Sequence, residues 1–173
     1  MDIVVTPDPS QPQRGTLTFG AHTYDCVLGR NGVSQTKREG DGATPVGRFL
    51  LRRVLYRADR LPPPRTSLPV ETITTDAGWC DAPEDPAYNM PVVLPYSASA
   101  ESLWREDGLY DVIVILGHND APVIPGAGSA IFLHVAPADG GPTAGCIAMA
   151  RAALVALLGA VDKETAVVIR RDS

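Results

Sequence analysis

Three cysteines and three histidines occur in this chain of 173 residues, and one Cys–His combination has a spacing that chemistry can use. His134 precedes Cys146 by twelve residues, and the intervening loop includes Ala136, Pro137, Ala138, Asp139, Gly140, Gly141 and Pro142. Gly and Pro at these positions can turn the chain back and bring a thiol to an imidazole. A cysteine attacks an acyl carbon only as its thiolate, so it needs a base within hydrogen-bond reach and a locally positive environment. His134 supplies the base. For the second need, Thr143-Ala144-Gly145-Cys146 offers a tight turn at Gly145 whose consecutive backbone N–H groups can face a developing oxyanion. A helix expected from about Ala150 would add the positive end of its dipole. The chemistry implied is acyl transfer through a thioester on Cys146.

The other soft ligands suggest nothing comparable. Cys26, Cys80 and Cys146 are odd in number and widely spaced, which gives no disulfide framework. Cys26 lies in the apolar run Tyr24 to Leu28 and reads as core, while His22, Trp79 and Cys80 read as structural or pocket-wall residues. No HxxxH or CxxC pair seeds a metal site, so neither metal nor cofactor is expected. The net charge of -5 argues against a nucleic-acid partner, which would need clustered cations. Arg52, Arg53, Arg57 and Arg60 alternate with apolar residues and read as a solvated face.

The elements that must carry the thiol and the imidazole follow from apolar periodicity. Short alternating or β-branched runs at 2–5, 16–19, 22–28 and 48–56 predict strands, and Arg30-Asn31-Gly32-Val33 predicts a hairpin turn. Residues 111–116 and 129–135, with Val-Ile-Val-Ile-Leu and Ile-Phe-Leu-His-Val, predict two central strands. The one convincing helix is 150–161, with Leu154, Leu157, Leu158 and Val161 on one face, followed by a last strand at 165–170. Between them, 61–111 is rich in Pro and anchored by Trp79, Tyr88, Tyr96, Trp104 and Tyr110; an excursion of this length is expected to frame a cleft. A single domain spanning 1–173 is expected, mainly β with one short helix after Cys146. No run approaches the roughly 20 apolar residues of a membrane span, and Met1 to Ser10 lacks an apolar stretch of signal-peptide length.

Ile131-Phe132-Leu133-His134, followed after the loop by Thr143-Ala144-Gly145-Cys146-Ile147-Ala148-Met149, resembles the active-site segment of the L,D-transpeptidase catalytic domain family, YkuD-like. Upstream, Gly40-Asp41-Gly42-Ala43-Thr44-Pro45-Val46-Gly47-Arg48-Phe49 is similar to a second motif of that family. The resemblance runs from about Cys26 to Val168. It implies a β-sandwich and ping-pong acyl transfer on peptidoglycan stem peptides: a tetrapeptide donor forms a thioester at the L-centre of its diamino acid, D-alanine leaves, and an amine takes the acyl group. Carried over, Cys146 is the nucleophile, His134 the base, and Gly145 with Cys146 the oxyanion donors, while Thr143 and Ala144 fall at substrate-facing family positions.

This chain departs from the family pattern in three places. The family's Arg two residues after the cysteine is Ala148 here, its frequent His two residues before is Ala144, and the loop from His134 is short. Arg105 or Arg151 is a candidate replacement for the missing guanidinium. His118 and Asn119 are expected to line the pocket, with a strand-ending turn as the alternative. The competing functions are an L,D-carboxypeptidase-type hydrolase using the same acyl-enzyme and a catalytically silent envelope-binding module. The family implies a place in the cell envelope or periplasm, the missing leader-like stretch leaves the cytoplasm as the alternative, and a monomer is expected.

Overall fold

The computed structural model describes residues 1–171. In chain order its elements are β1 (Ile3–Asp8), β2 (Gln11–Phe19), β3 (His22–Val27), β4 (Val33–Ser34), β5 (Thr44–Pro45), β6 (Gly47–Tyr56), β7 (Val70–Thr72), β8 (Ala77–Cys80), β9 (Pro91–Val93), β10 (Ala100–Ser102), β11 (Val112–Leu116), β12 (Phe132–Val135), β13 (Ile147–Met149), α1 (Arg151–Leu158) and β14 (Ala166–Ile169). The mainly β architecture with one short helix is the one expected.

Nine strands form one sheet in the order β11-β12-β13-β3-β2-β1-β14-β6-β7, and β6 also pairs with β11. The start of β6, Gly47 to Leu50, runs against β14, while its remainder, Leu51 to Tyr56, runs against β11. The sheet thus folds back on itself into a sandwich, and its inside is filled by Ile3, Val5, Leu17, Val54, Leu133 and Ile147 among others. Helix α1 contributes Leu154, Leu157 and Leu158 to the same core.

Strand alternation builds a second apolar layer on the other face. Val112, Val114 and Leu116 of β11 enter the main core, whereas Ile113 and Ile115 join Phe132 of β12, Trp79, Leu103, Tyr110 and Cys146 in a separate cluster. All five β11 residues are buried, which accounts for an apolar run without polar alternation. The layer covering this face comes from the excursion at 61–111. It carries short strands rather than none: β10, β8 and β9 form a small three-stranded sheet.

Two local expectations are corrected. Gly32 does make a turn, its N–H bonding the Gly29 carbonyl at 2.8 Å, but no hairpin follows, because β3 pairs with β2 and β13 while β4 runs parallel to β5. Arg57 does not belong to a solvated face. Its guanidinium stacks over the Trp104 ring at 3.5 Å and donates to Asp59 and to the Arg105 carbonyl, so it is buried with its charge matched.

The loop after β3 lies against the segment that leads into β5. A Cβ on Gly29 would sit 2.4 Å from the Gly42 oxygen and 2.9 Å from the Ala43 Cα. These are backbone atoms of one tightly packed segment, so Gly29→Ala is expected to cost about 2 kcal/mol as an overpacked site. The measurement is chemical denaturation, where the midpoint should fall at unchanged slope.

Candidate active site

Strands β12 and β13 are parallel, with Leu133 opposite Ile147 and His134 opposite Ala148. Continued back by one residue, that register sets Cys146 beside Phe132. Because faces alternate, Phe132, His134, Cys146 and Ala148 all point away from the main core. Both Cys146 and His134 are buried, and both line one open cleft of about 510 Å³. The same cleft is lined by Thr143, Ala144 and Gly145, so five of the seven residues singled out in the sequence come together.

The turn before the sulfur is held by two hydroxyls from distant parts of the chain. Thr143 Oγ1 accepts from the Gly145 N–H at 3.1 Å and donates to the Cys146 carbonyl at 2.7 Å. Thr44 Oγ1 accepts from the Gly29 N–H at 2.8 Å and donates to the same Cys146 carbonyl at 3.4 Å. Gly145 has φ +141, and a Cβ there would lie 2.9 Å from the Ala43 oxygen. The upstream Gly-Asp-Gly-Ala-Thr-Pro segment therefore acts at the site by packing beneath this turn and bonding it.

Two expectations about activation change. The Gly145 N–H is already committed to Thr143, so Gly145 contributes shape, and the Cys146 N–H is left as the donor of the pair. Helix α1 starts at Arg151, after the whole of β13. At ~3.3 Å per strand residue its N-terminus is on the order of 10 Å from Cys146, beyond the single turn over which a helix dipole acts.

The thiol and the imidazole do not hydrogen-bond to each other in this structure. Cys146 Sγ donates to the Ala130 carbonyl at 3.1 Å and accepts from the Phe132 N–H at 3.4 Å. His134 Nδ1 lies 2.8 Å from the Val135 carbonyl. A carbonyl only accepts, so Nδ1 carries the proton and Nε2 keeps its lone pair. Burial pushes the Cys146 thiol up to about 12 and holds the His134 imidazole down at about 4. The resting pair is thiol and neutral imidazole rather than thiolate and imidazolium.

The remaining walls come from segments that sequence spacing does not join. Tyr110 meets the His134 ring edge-on, with centroids 5.2 Å apart, and its hydroxyl donates to Glu101. Arg105 lies 5.0 Å over the Tyr110 ring and 4.0 Å from Glu101. Lys37, Glu39 and Asp81 complete a cleft that carries both signs of charge. Of the two candidate guanidiniums, Arg105 is in the cleft, while Arg151 pairs with Asp111 at 3.2 Å outside it. The structure does not bring His118 and Asn119 to the cleft. His118 Nε2 bonds the Ala127 carbonyl, and the Asn119 side chain bonds Ile124 and Gly128, so both brace the loop after β11.

The family model of the L,D-transpeptidase catalytic domain, YkuD, matches residues 12–169. Among solved structures, L,D-transpeptidase 1 of Mycobacterium tuberculosis is similar at 13% identity and a TM-score of 0.41, covering 97% of this chain and 61% of that one. This chain thus spans about 61% of that protein's length. No curated protein matches the chain.

The depressed imidazole has a consequence for stability. An unfolded chain takes up the His134 proton near the ordinary 6.5, but the folded chain only near 4. Between these values the unfolded state binds more protons, so His134 makes stability fall as pH drops from 6.5 to 4. The loss is on the order of 3 kcal/mol at one pKa unit per ~1.4 kcal/mol. Denaturation midpoints across this window should decline less steeply in His134→Gln than in the native chain.

Proposed function

Because the chain belongs to the L,D-transpeptidase catalytic domain family, we propose that it is a cysteine acyltransferase acting on peptidoglycan stem peptides, with Cys146 as nucleophile and His134 as general base. The observation that carries this reading is that the two side chains share one face of paired strands and line one open cleft. A binding module would have no need of that arrangement.

A donor peptide entering the cleft displaces the thiol from the Ala130 carbonyl. The sulfur passes its proton to His134 Nε2 and attacks the carbonyl carbon at the L-centre of the diamino acid. Nε2 is the nitrogen available, since Nδ1–H is tied to Val135. The Cys146 N–H faces the developing oxyanion. Collapse breaks the C–N bond to D-alanine, whose nitrogen takes the proton back from His134, and leaves a thioester. In the second half an amine attacks the thioester, His134 removes its proton, and the thiol is restored as the amide departs. Because burial keeps the imidazole neutral, Nε2 is free to accept that proton.

The charges support a donor with zwitterionic ends. Lys37 and Arg105 can meet carboxylates, while Glu39, Asp81 and Glu101 can meet an ammonium. Arg105 takes the part of the family's missing guanidinium, because it is the one of the two candidates that lines the cleft. Peptidoglycan lies in the cell envelope, and we place the working location of the chain there as part of the same proposal.

The test is incubation with a disaccharide tetrapeptide and an amine acceptor, followed by mass spectrometry. Expected are a Cys146 acyl adduct, released D-alanine and a new amide. Tripeptide without amide would reassign the chain as a hydrolase, and no adduct on folded protein would favour a silent module. Cys146→Ala should abolish the adduct, and His134→Ala should slow acylation on the order of a hundredfold or more. Arg105→Ala should reduce turnover while Arg151→Ala does not; equal behaviour of the two would remove Arg105 from the mechanism.

A further inference from the structure

One buried side chain outside the cleft lining touches the segments that fix the resting position of the thiol. Asn89 has φ +57 and is 8% exposed, and all of its amide is engaged. Oδ1 accepts from the Trp79 indole N–H and from the Ala130 N–H, each at 3.0 Å. Nδ2 donates to the His118 carbonyl at 3.0 Å and the Asn119 carbonyl at 2.8 Å. Any other rotamer would leave buried donors and acceptors unmatched, which locks the amide in this orientation.

Ala130 links that amide to the sulfur. It has φ +52, a conformation that L residues avoid because the Cβ crowds the following carbonyl oxygen. Asn89 holds it there by its N–H, and its carbonyl accepts the Cys146 S–H at 3.1 Å. We propose that Asn89 is a positioning residue for acyl transfer: by keeping Ala130 left-handed it aims the Ala130 carbonyl at Cys146 and so fixes where the sulfur waits between turnovers. The inference rests on Cys146 being the nucleophile. With the clamp in place, the sulfur stays on the cleft floor between an acceptor and the Phe132 N–H, and rotation about its Cα–Cβ bond frees it. Without the clamp, Ala130 relaxes to negative φ, its carbonyl swings away, and the sulfur loses its orientation.

The experiment compares the native chain with N89A, the double variant N89A/A130G and W79F. Each is measured for turnover and for Cys146 alkylation by iodoacetamide as a function of pH. N89A should lose kcat on the order of a hundredfold, as reacting atoms do when misplaced by about 1 Å, with KM little changed. Its alkylation profile should move to lower pH, since the S–H has lost its acceptor. Glycine adopts the left-handed conformation unaided, so N89A/A130G should recover most of kcat and return the profile towards the native one. W79F removes a donor from the same Oδ1 without touching Ala130 and should leave the profile in place. A native profile in folded N89A, no rescue by A130G, or a W79F profile displaced as far as that of N89A would each overturn the proposal. If N89A lacks a cooperative melt, restoration of fold and profile by A130G supports the proposal, and continued unfolding overturns it. The alkylation arm uses no substrate, so it still reads the role of Asn89 if the donor peptide is misassigned. Turnover surviving in C146A would sink the nucleophile reading, and this inference with it.

Discussion

The parallel register of β12 and β13, with His134 opposite Ala148, decides on which side of the sheet the sulfur stands. Side chains alternate faces along a strand, so a slip of one residue would turn Cys146 into the aliphatic interior and bring Ile147 to the cleft. Several independent contacts oppose such a slip. Ile147 and Met149 are fully or almost fully buried in the main core, Thr143 ties the turn to its own carbonyl end, and Thr44 ties it to the loop after β3. The position of the sulfur is thus specified by the same packing that specifies the fold.

Burial then sets the electrical state of the pair. Removing a thiol and an imidazole from water disfavours the charged form of each, which drives their proton affinities apart in the direction that keeps both neutral. Under the proposed mechanism, proton transfer accompanies attack rather than preceding it. The cost is a less reactive free thiol. The benefit is a cysteine that resists adventitious alkylation and oxidation, since both act on the thiolate.

Much of the architecture was legible in the chain because strands buried on one face and strands buried on both leave different apolar patterns. The run Val-Ile-Val-Ile-Leu at 112–116 marks a doubly buried strand, and the leucines of α1 mark a helix. Cys146 and His134 stood out because a Gly-rich turn follows a strand ending in histidine. Less could be read where proximity depends on long-range closure. Glu101, Arg105 and Tyr110 reach the cleft only because the excursion folds over the outer face of β11 and β12. The dipole of α1 was credited to the wrong place because three residues of β13 separate it from the sulfur. The amide of Gly145 looked available until a neighbouring hydroxyl claimed it. Asn89 carries no motif at all, and its connections appear only once Trp79, His118 and Ala130 are seen around it.

Closure of the main sheet has a further consequence. With β6 bridging β14 and β11, the unpaired strand edges of the main sheet among the described residues include β7, three residues long, and His22–Asp25 of β3, which β13 does not reach. A protein that handles extended peptides usually risks having them add to its own ladder of main-chain amides. Beside Cys146, however, β12 lies between β11 and β13, and β13 between β12 and β3, so the main sheet offers no free ladder next to the sulfur among the described residues. Under the proposed function, a donor peptide is met at the main sheet by side chains and by the turn around the sulfur, and discrimination there becomes a matter of charge and shape.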